Sequence, residues 1–194
     1  MVNFYSFGTE DDSTLGSSDE ATSGREYLDE PICFYGVNQS HLVVSYIRAR
    51  IHIHEVYHFI VCCVVILIQV YTNGFITLGG FYNNTAYIPK VLKTTGGPII
   101  APFFADADTR GYRSGMIYFR QTKEPSLLER AKQDIEFTFP GTTFTPKHLY
   151  IVTWDKIGFY NHHDNLVSTS MCVLVAYLFL IILEGHYDGQ LMVS

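Results

Sequence analysis

One stretch of this chain carries a helical period, and nearly everything around it reads as short apolar runs punctuated by turns. From Ser126 to Phe139, Leu128, Ala131 and Ile135 recur three and four apart on one face, while Glu129, Lys132, Gln133 and Glu136 take the other. Ser126 and Glu129 have the spacing of a capping box, Pro125 suits the helix entrance, and Pro140-Gly141 supplies the stop. A single helix among strands points to the α+β class.

The strand readings follow the turn signals. Ile32 to Gly36 and His41 to Val44 flank the turn-like Val37 to Ser40, and Val70 to Gly80 contains Asn73-Gly74. Pro98 to Phe104 ends at Asp106 and Asp108, and Met116 to Gln121 alternates. Leu149 to Trp154 and Ile157 to Tyr160 read as two pieces separated by Asp155-Lys156. Composition agrees, since 14 Tyr and 14 Phe stand against a single Trp, and such side chains suit half-buried pleated surfaces. The length of 194 residues allows one domain and a short extension, and 47% hydrophobic content excludes a disordered polar chain. Only Gly8 to about Glu30 is polar and acidic enough to read as a loose, solvated arm.

Net charge is −6 and no Lys/Arg cluster tracks a phosphate backbone, which argues against a nucleic-acid partner. Cys33, Cys62, Cys63 and Cys172 show no C-x-x-C spacing and leave the redox compartment undecided. The N-terminus has no basic segment followed by an apolar one, so no secretory signal is visible. The unbroken apolar run Phe59 to Ile68 has ten residues, against the about 20 that span a bilayer, and fits a buried strand or core helix. Met171 to Leu183 is also short, although Leu166 to Leu183 stretches to a marginal span and keeps a membrane-tethered reading open.

Three patterns could carry chemistry. His54-Glu55-Val56-Tyr57-His58 matches H-E-x-x-H: on a helix, His54 and His58 would bind zinc and Glu55 would serve as general base. The β-branched residues around it disfavour a helix, and nothing places His186 or Glu184 as a third ligand, so a zinc hydrolase is the lesser reading. Asp106 and Asp108, followed by Gly111, resemble the front of a calcium loop, but no Glu follows at the EF-hand distance. Pairing with backbone N–H groups, Arg110 or Arg113 is the preferred account of that loop. His162-His163-Asp164 could ligate a metal at an exposed loop, with a solvated His pair the preferred reading, and no G-x-S-x-G anchors a hydrolase triad. Asn38 and Asn83 head N-glycosylation sequons.

Tyr71-Thr72-Asn73-Gly74-Phe75-Ile76 is followed by Ile99 through Gly111 with its Ala101-Pro102-Phe103-Phe104-Ala105-Asp106 core, then by Ile117 to Arg120, Leu128 to Ile135 and Ile151-Val152-Thr153-Trp154-Asp155. In these residues the stretch from Tyr71 to about Leu166 resembles the NIDO domain, the extracellular domain of nidogen that also occurs in alpha-tectorin and membrane mucins. Phe4 to Gly8 and Phe34-Tyr35-Gly36 resemble the domain's start. Phe104 stands where the family commonly has Trp. The resemblance implies an extracellular or cell-surface, non-enzymatic module for cell–matrix adhesion or matrix assembly, with matrix or cell-surface proteins as partners and no cofactor.

Against that pattern, Val44 to Gln69 interrupts a strand that would otherwise run His-Leu-Val-Val-Tyr-Thr-Asn-Gly. The run opens with Val44-Ser45, which GTAAGT can encode, and closes with Gln69, which CAG can encode. It is therefore read as translated intron or as an insertion, and the tail from Val167-Ser168 opens in the same way. The expectation is a β-rich α+β single domain with one main helix near 126–139, with truncation left open. Residues 1–43 are its N-terminal part with the acidic arm, 44–69 the interruption, 70–166 the core, and 167–194 a divergent apolar tail.

Overall fold

The computed structural model describes residues 4–34, 45–53, 56–78, 99–161, 163–175 and 184–187. In chain order these form strands β1 (Ser13–Thr14), β2 (Glu26–Phe34), β3 (Ser45–Ile53), β4 (Val56–Tyr71), β5 (Phe75–Leu78), β6 (Ile99–Ile100), β7 (Ala107–Asp108) and β8 (Met116–Thr122). Helix α1 (Pro125–Thr138) follows, and then β9 (Leu149–Phe159), β10 (His163–Val175) and β11 (Glu184–Tyr187). The strands make two antiparallel sheets. One has the order β1-β8-β9-β10-β11, with β7 also on β9; the other has the order β2-β4-β5-β6, with β3 also on β4.

Alternation along β9 and β10 explains how the layers stack. Tyr150, Val152, Trp154, Cys172 and Leu174 turn toward the second sheet, where they meet Ile68, Val70, Ile76, Leu78 and Ile100. The intervening Leu149, Ile151, Met171, Val173 and Val175 face the opposite way, onto Leu127, Ala131 and Ile135 of α1 and onto Tyr5. The first sheet is thus buried on both faces, between a sheet and a helix. A strand with two buried faces reads as a continuous apolar run, because neither face needs polar residues. This accounts for the apolar texture after Leu166: Val167 to Val175 lie within β10, between β9 and β11. Among the described residues, no helix is long and apolar enough to cross a membrane.

Several expectations change in detail. The helix runs Pro125–Thr138, one residue ahead of the Ser126 to Phe139 reading; its cap residue is Glu124 and no side chain caps it. Ser126 Oγ bonds Glu124 rather than closing a box with Glu129. Its buried stripe is Leu127, Ala131 and Ile135, with Leu128 on the flank. Leu149 to Phe159 is one strand, because Asp155-Lys156 is absorbed as a kink: Lys156 takes a φ of 51° and its N–H bonds Thr169 Oγ1 at 3.0 Å. Of the run from Pro98 to Phe104, Pro98 lies outside the described residues and 99–104 supply the two-residue β6. Beyond it the backbone docks on the turn after β4, with the Phe103 N–H on Gly74 O and the Ala105 N–H on Asn73 O. Pro102 has no N–H to extend a ladder.

The polar segment before β2 is fastened rather than loose. The Ser23 N–H bonds Val70 O, the Thr72 N–H bonds Ala21 O, and Thr22 bridges to Tyr71. Asp12 forms a buried ion pair with Arg120 of β8, whose guanidinium also reaches Ser6 O. At the N-terminus, Tyr5 is buried beneath α1, with its hydroxyl on Asp134 at 2.7 Å and the Arg130 guanidinium 3.8 Å above its ring. Hydrophilic composition describes solvation only when the groups lack partners, and here they have them.

Candidate functional site

The end of the first sheet where β7, the loop after it and the β9 kink converge is the best-defined assembly of polar and aromatic side chains among the described residues. Asp108 is buried at its centre. Its carboxylate accepts from Arg110 three times: Nε on Oδ1 at 2.9 Å, the backbone N–H on Oδ1 at 2.9 Å, and Nη2 on Oδ2 at 2.8 Å. The same Nη2 bonds Asp19 Oδ2 at 2.8 Å, which brings in the segment before β2. A forked guanidinium on a carboxylate fixes orientation as well as charge.

Backbone contacts complete the clamp. Ser114 Oγ donates to Asp108 O at 2.9 Å and accepts from the Gly158 N–H at 3.0 Å. The Gly115 N–H bonds Lys156 O at 2.8 Å, and a side chain at Gly115 would meet Asp155 O at 2.1 Å, so only glycine fits there. On the other side, Ser17 and Ser18 hold Thr109 through four hydrogen bonds of 2.7–3.0 Å. The Tyr160 N–H bonds Asp106 O at 2.7 Å.

Electrostatics follow from this crowding. The Asp106 carboxyl is pushed above its ordinary value, first by burial and then by the negative charges of Asp19 and Asp108. Arg110 is held more firmly protonated than usual, chiefly by its hydrogen bonds to Asp108. Asp108 therefore spends both oxygens on Arg110, and the described residues contain no group of three or more His, Cys, Asp or Glu arranged to hold a metal ion. The clamp presents to solvent an aromatic side chain flanked by the exposed Arg110 and Arg113. Tyr112 at the loop tip is 99% exposed, and Tyr160 and Met116 are exposed beside the same loop.

The other candidates are dispersed. His54 and Glu55 lie outside the described residues, and His58 sits in β4 opposite Ile51, so the helix on which zinc binding depends is replaced by a strand at Val56 to His58. The β-branched residues there pair across a β3–β4 hairpin instead. Glu184 and His186 stand on β11 opposite Met171 and Thr169. Asn38, Asn83 and His162 lie outside the described residues, while His163 opens β10 opposite Phe159. Sequence reading missed Asp19, Ser18 and Tyr112. The first two act across about ninety residues of chain, and no local spacing announces such contacts; Tyr112 carried one cue, its place after Arg110-Gly111 in a turn.

Comparison with known proteins matches the nidogen-like domain to residues 67–176, more than half of the chain. Nidogen-2 of Mus musculus is 37% identical over 91 residues, covering 46% of this chain and 6% of that protein. Alpha-tectorin of Mus musculus is 42% identical over 85 residues, covering 43% of this chain and 4% of that protein. Nidogen-1 of Homo sapiens is 32% identical over 93 residues, covering 48% and 7% respectively. The chain thus spans a small fraction of the length of these relatives, and no solved structure matches it. The matched stretch takes in the end of β4, β5 to β8, α1, β9 and all of β10. The chain belongs to the nidogen-like (NIDO) domain family.

Proposed function

We propose that this chain is a non-enzymatic extracellular module for cell–matrix adhesion or matrix assembly, and that it engages matrix or cell-surface proteins through the 106–115 loop. Family membership supports the matrix reading, since the relatives are nidogens and alpha-tectorins. The observation that carries the site is Tyr112, 99% exposed on a loop fixed by Asp108, Arg110, Asp19 and Ser114. An aromatic side chain loses little conformational freedom on binding, and a rigid support removes the cost of ordering the loop. Tyr and Arg are the residue types that most often dominate interfaces.

The test is solid-phase binding of the purified chain to cell-free matrix laid down by cultured cells, with Tyr112→Ala alongside. The expected result is saturable binding that the substitution weakens at least about tenfold, with an unchanged melting temperature. Binding no stronger than that of an unrelated β-sandwich would refute the matrix role. Full binding by Tyr112→Ala would refute the loop as the contact.

A further inference from the structure

His148 stands immediately before β9 with only 3% of its side chain exposed, and its Nε2 is buried without a hydrogen-bond partner. The nearest acid is Asp29 of β2, with Oδ2 4.0 Å away, beyond hydrogen-bond reach, and a side chain 62% exposed. Glu30 of β2 and Lys123, just past β8, are the other charged groups facing it, and they pair with each other at 3.6 Å. Glu26, at the start of β2, acts on the neighbouring Tyr150 of β9. The imidazole is held below its ordinary pKa, first by burial; Asp29 and Glu30 oppose this and Lys123 reinforces it.

Asp29 also occupies the interruption in β2. The ladder with β4 pairs Glu26 and Tyr27, then breaks and resumes only at Ile32. Across the break, Gln121 of β8 grips the strand from outside: its Oε1 accepts from the Asp29 N–H at 2.8 Å and its Nε2 donates to Tyr27 O at 2.7 Å. The backbone at Tyr27 and Asp29 is therefore held by one side chain of β8, with Leu28 packed in the core between the sheets and His148 beside Asp29.

We infer that this break in β2 is a proton-operated latch, closed over neutral His148 and lifted toward solvent when the imidazole takes up a proton. Charging a buried ring with no acceptor in reach is costly, and lifting 28–31 relieves it by admitting water and letting Asp29 approach Nε2. The sign follows from the depressed closed-state value. Closure is fully stable above about pH 6.5, the ordinary histidine value regained in the open form, and is lost as pH falls below it toward the closed-state value. Within that window the open fraction grows by up to about tenfold per pH unit.

Amide hydrogen exchange on the whole chain at pH 7.5 and 5.5, corrected for intrinsic rates, tests this. Protection at Leu28 to Glu30 falls on acidification while that of Val152 in the core holds, and His148→Gln abolishes the difference. A wild type with no change, or a His148→Gln chain with the same change, overturns the latch. Should His148→Gln fail to fold, the imidazole titration of the wild type and of Asp29→Asn decides by NMR. A wild-type midpoint below about 6.5 that falls further in Asp29→Asn supports the latch, and a midpoint at or above 6.5 refutes it.

Discussion

The indole N–H of Trp154 donates a 2.9 Å hydrogen bond to the backbone carbonyl of Tyr71, tying the middle of the first sheet to the last residue of β4 in the second. Trp154 is fully buried, and this bond lies where β4 gives way to the Thr72–Gly74 turn. Tyr71 O also accepts a longer bond of 3.3 Å from the Gly74 N–H, so losing the indole weakens the site without stripping the carbonyl. Trp154→Phe is therefore expected to cost about 2 kcal/mol, from the lost bond and the smaller ring together. Urea denaturation measures it. A change below about 0.5 kcal/mol would mean that the two sheets are held by packing alone.

Gly74 gives a sharper case. Its φ is 78°, and a Cβ placed there would stand 1.5 Å from the Phe103 carbonyl oxygen, which belongs to rigid backbone. Gly141 has a similar φ of 89° but nothing within 4 Å. Gly141→Ala should cost about 1 kcal/mol, the conformational penalty alone. Gly74→Ala should cost about 3 kcal/mol or more, because the 101–105 segment must leave the turn. Thermal melts of the two variants separate strain from close approach, and equal losses would contradict that division.

Elements governed by local periodicity were legible in the sequence. The helix boundaries came from Pro125 and Pro140-Gly141, and the Asn73-Gly74 turn from its dipeptide, because these signals act within a few residues. The pairing of Asp108 with Arg110 is legible for the same reason, being two residues apart. What failed was anything decided by distant partners. The segment before β2 looks solvated by composition, yet Asp12, Ser18 and Asp19 find Arg120, Thr109 and Arg110 about ninety or more residues away. The capping box failed because the chain enters the helix two residues earlier, with Glu124 at the cap, leaving Ser126 inside it. His148 gave no signal, since a lone histidine beside Leu149 states nothing about burial.

Cys172 sits on β10 with its thiol fully buried between the sheets, and burial pushes its pKa up to about 12. The thiolate is the reactive form, so the native chain should leave Cys172 unmodified by iodoacetamide at pH 8. Unfolding in guanidinium returns the thiol to about 8.5, and modification should then be rapid. Peptide mass mapping reads Cys172 separately from Cys33, Cys62 and Cys63. Prompt native labelling would show that β10 opens easily, and would place doubt on its central position in the sheet.

The last prediction concerns Val44 to Gln69. β2 and β4 pair Ile32 with Val65, Cys33 with Val64 and Phe34 with Cys63. Removing 44–69 deletes 26 residues, an even number, so every remaining strand residue keeps its face. Leu42 then takes the place of Ile68, which is fully buried, and Val43 replaces Gln69, a buried polar residue. The same shift brings Val37 opposite Phe34, leaving Tyr35-Gly36 as a two-residue hairpin loop, the length that antiparallel neighbours favour. The strand thus closes on β2 in the existing register, and the β4–β5 pairs from Val70 to Phe75 are untouched. The shortened chain is expected to fold, to keep the Trp154–Tyr71 bond, and to melt at or above the temperature of the full chain with less aggregation. It loses the β3–β4 hairpin; among the described residues β3 pairs with β4, and β4 in turn with β2 and β5. Circular dichroism melts and light scattering of the two chains decide between the accounts. A shortened chain that fails to fold, beside a full chain that unfolds cooperatively, would make 44–69 an integral part of the sheet.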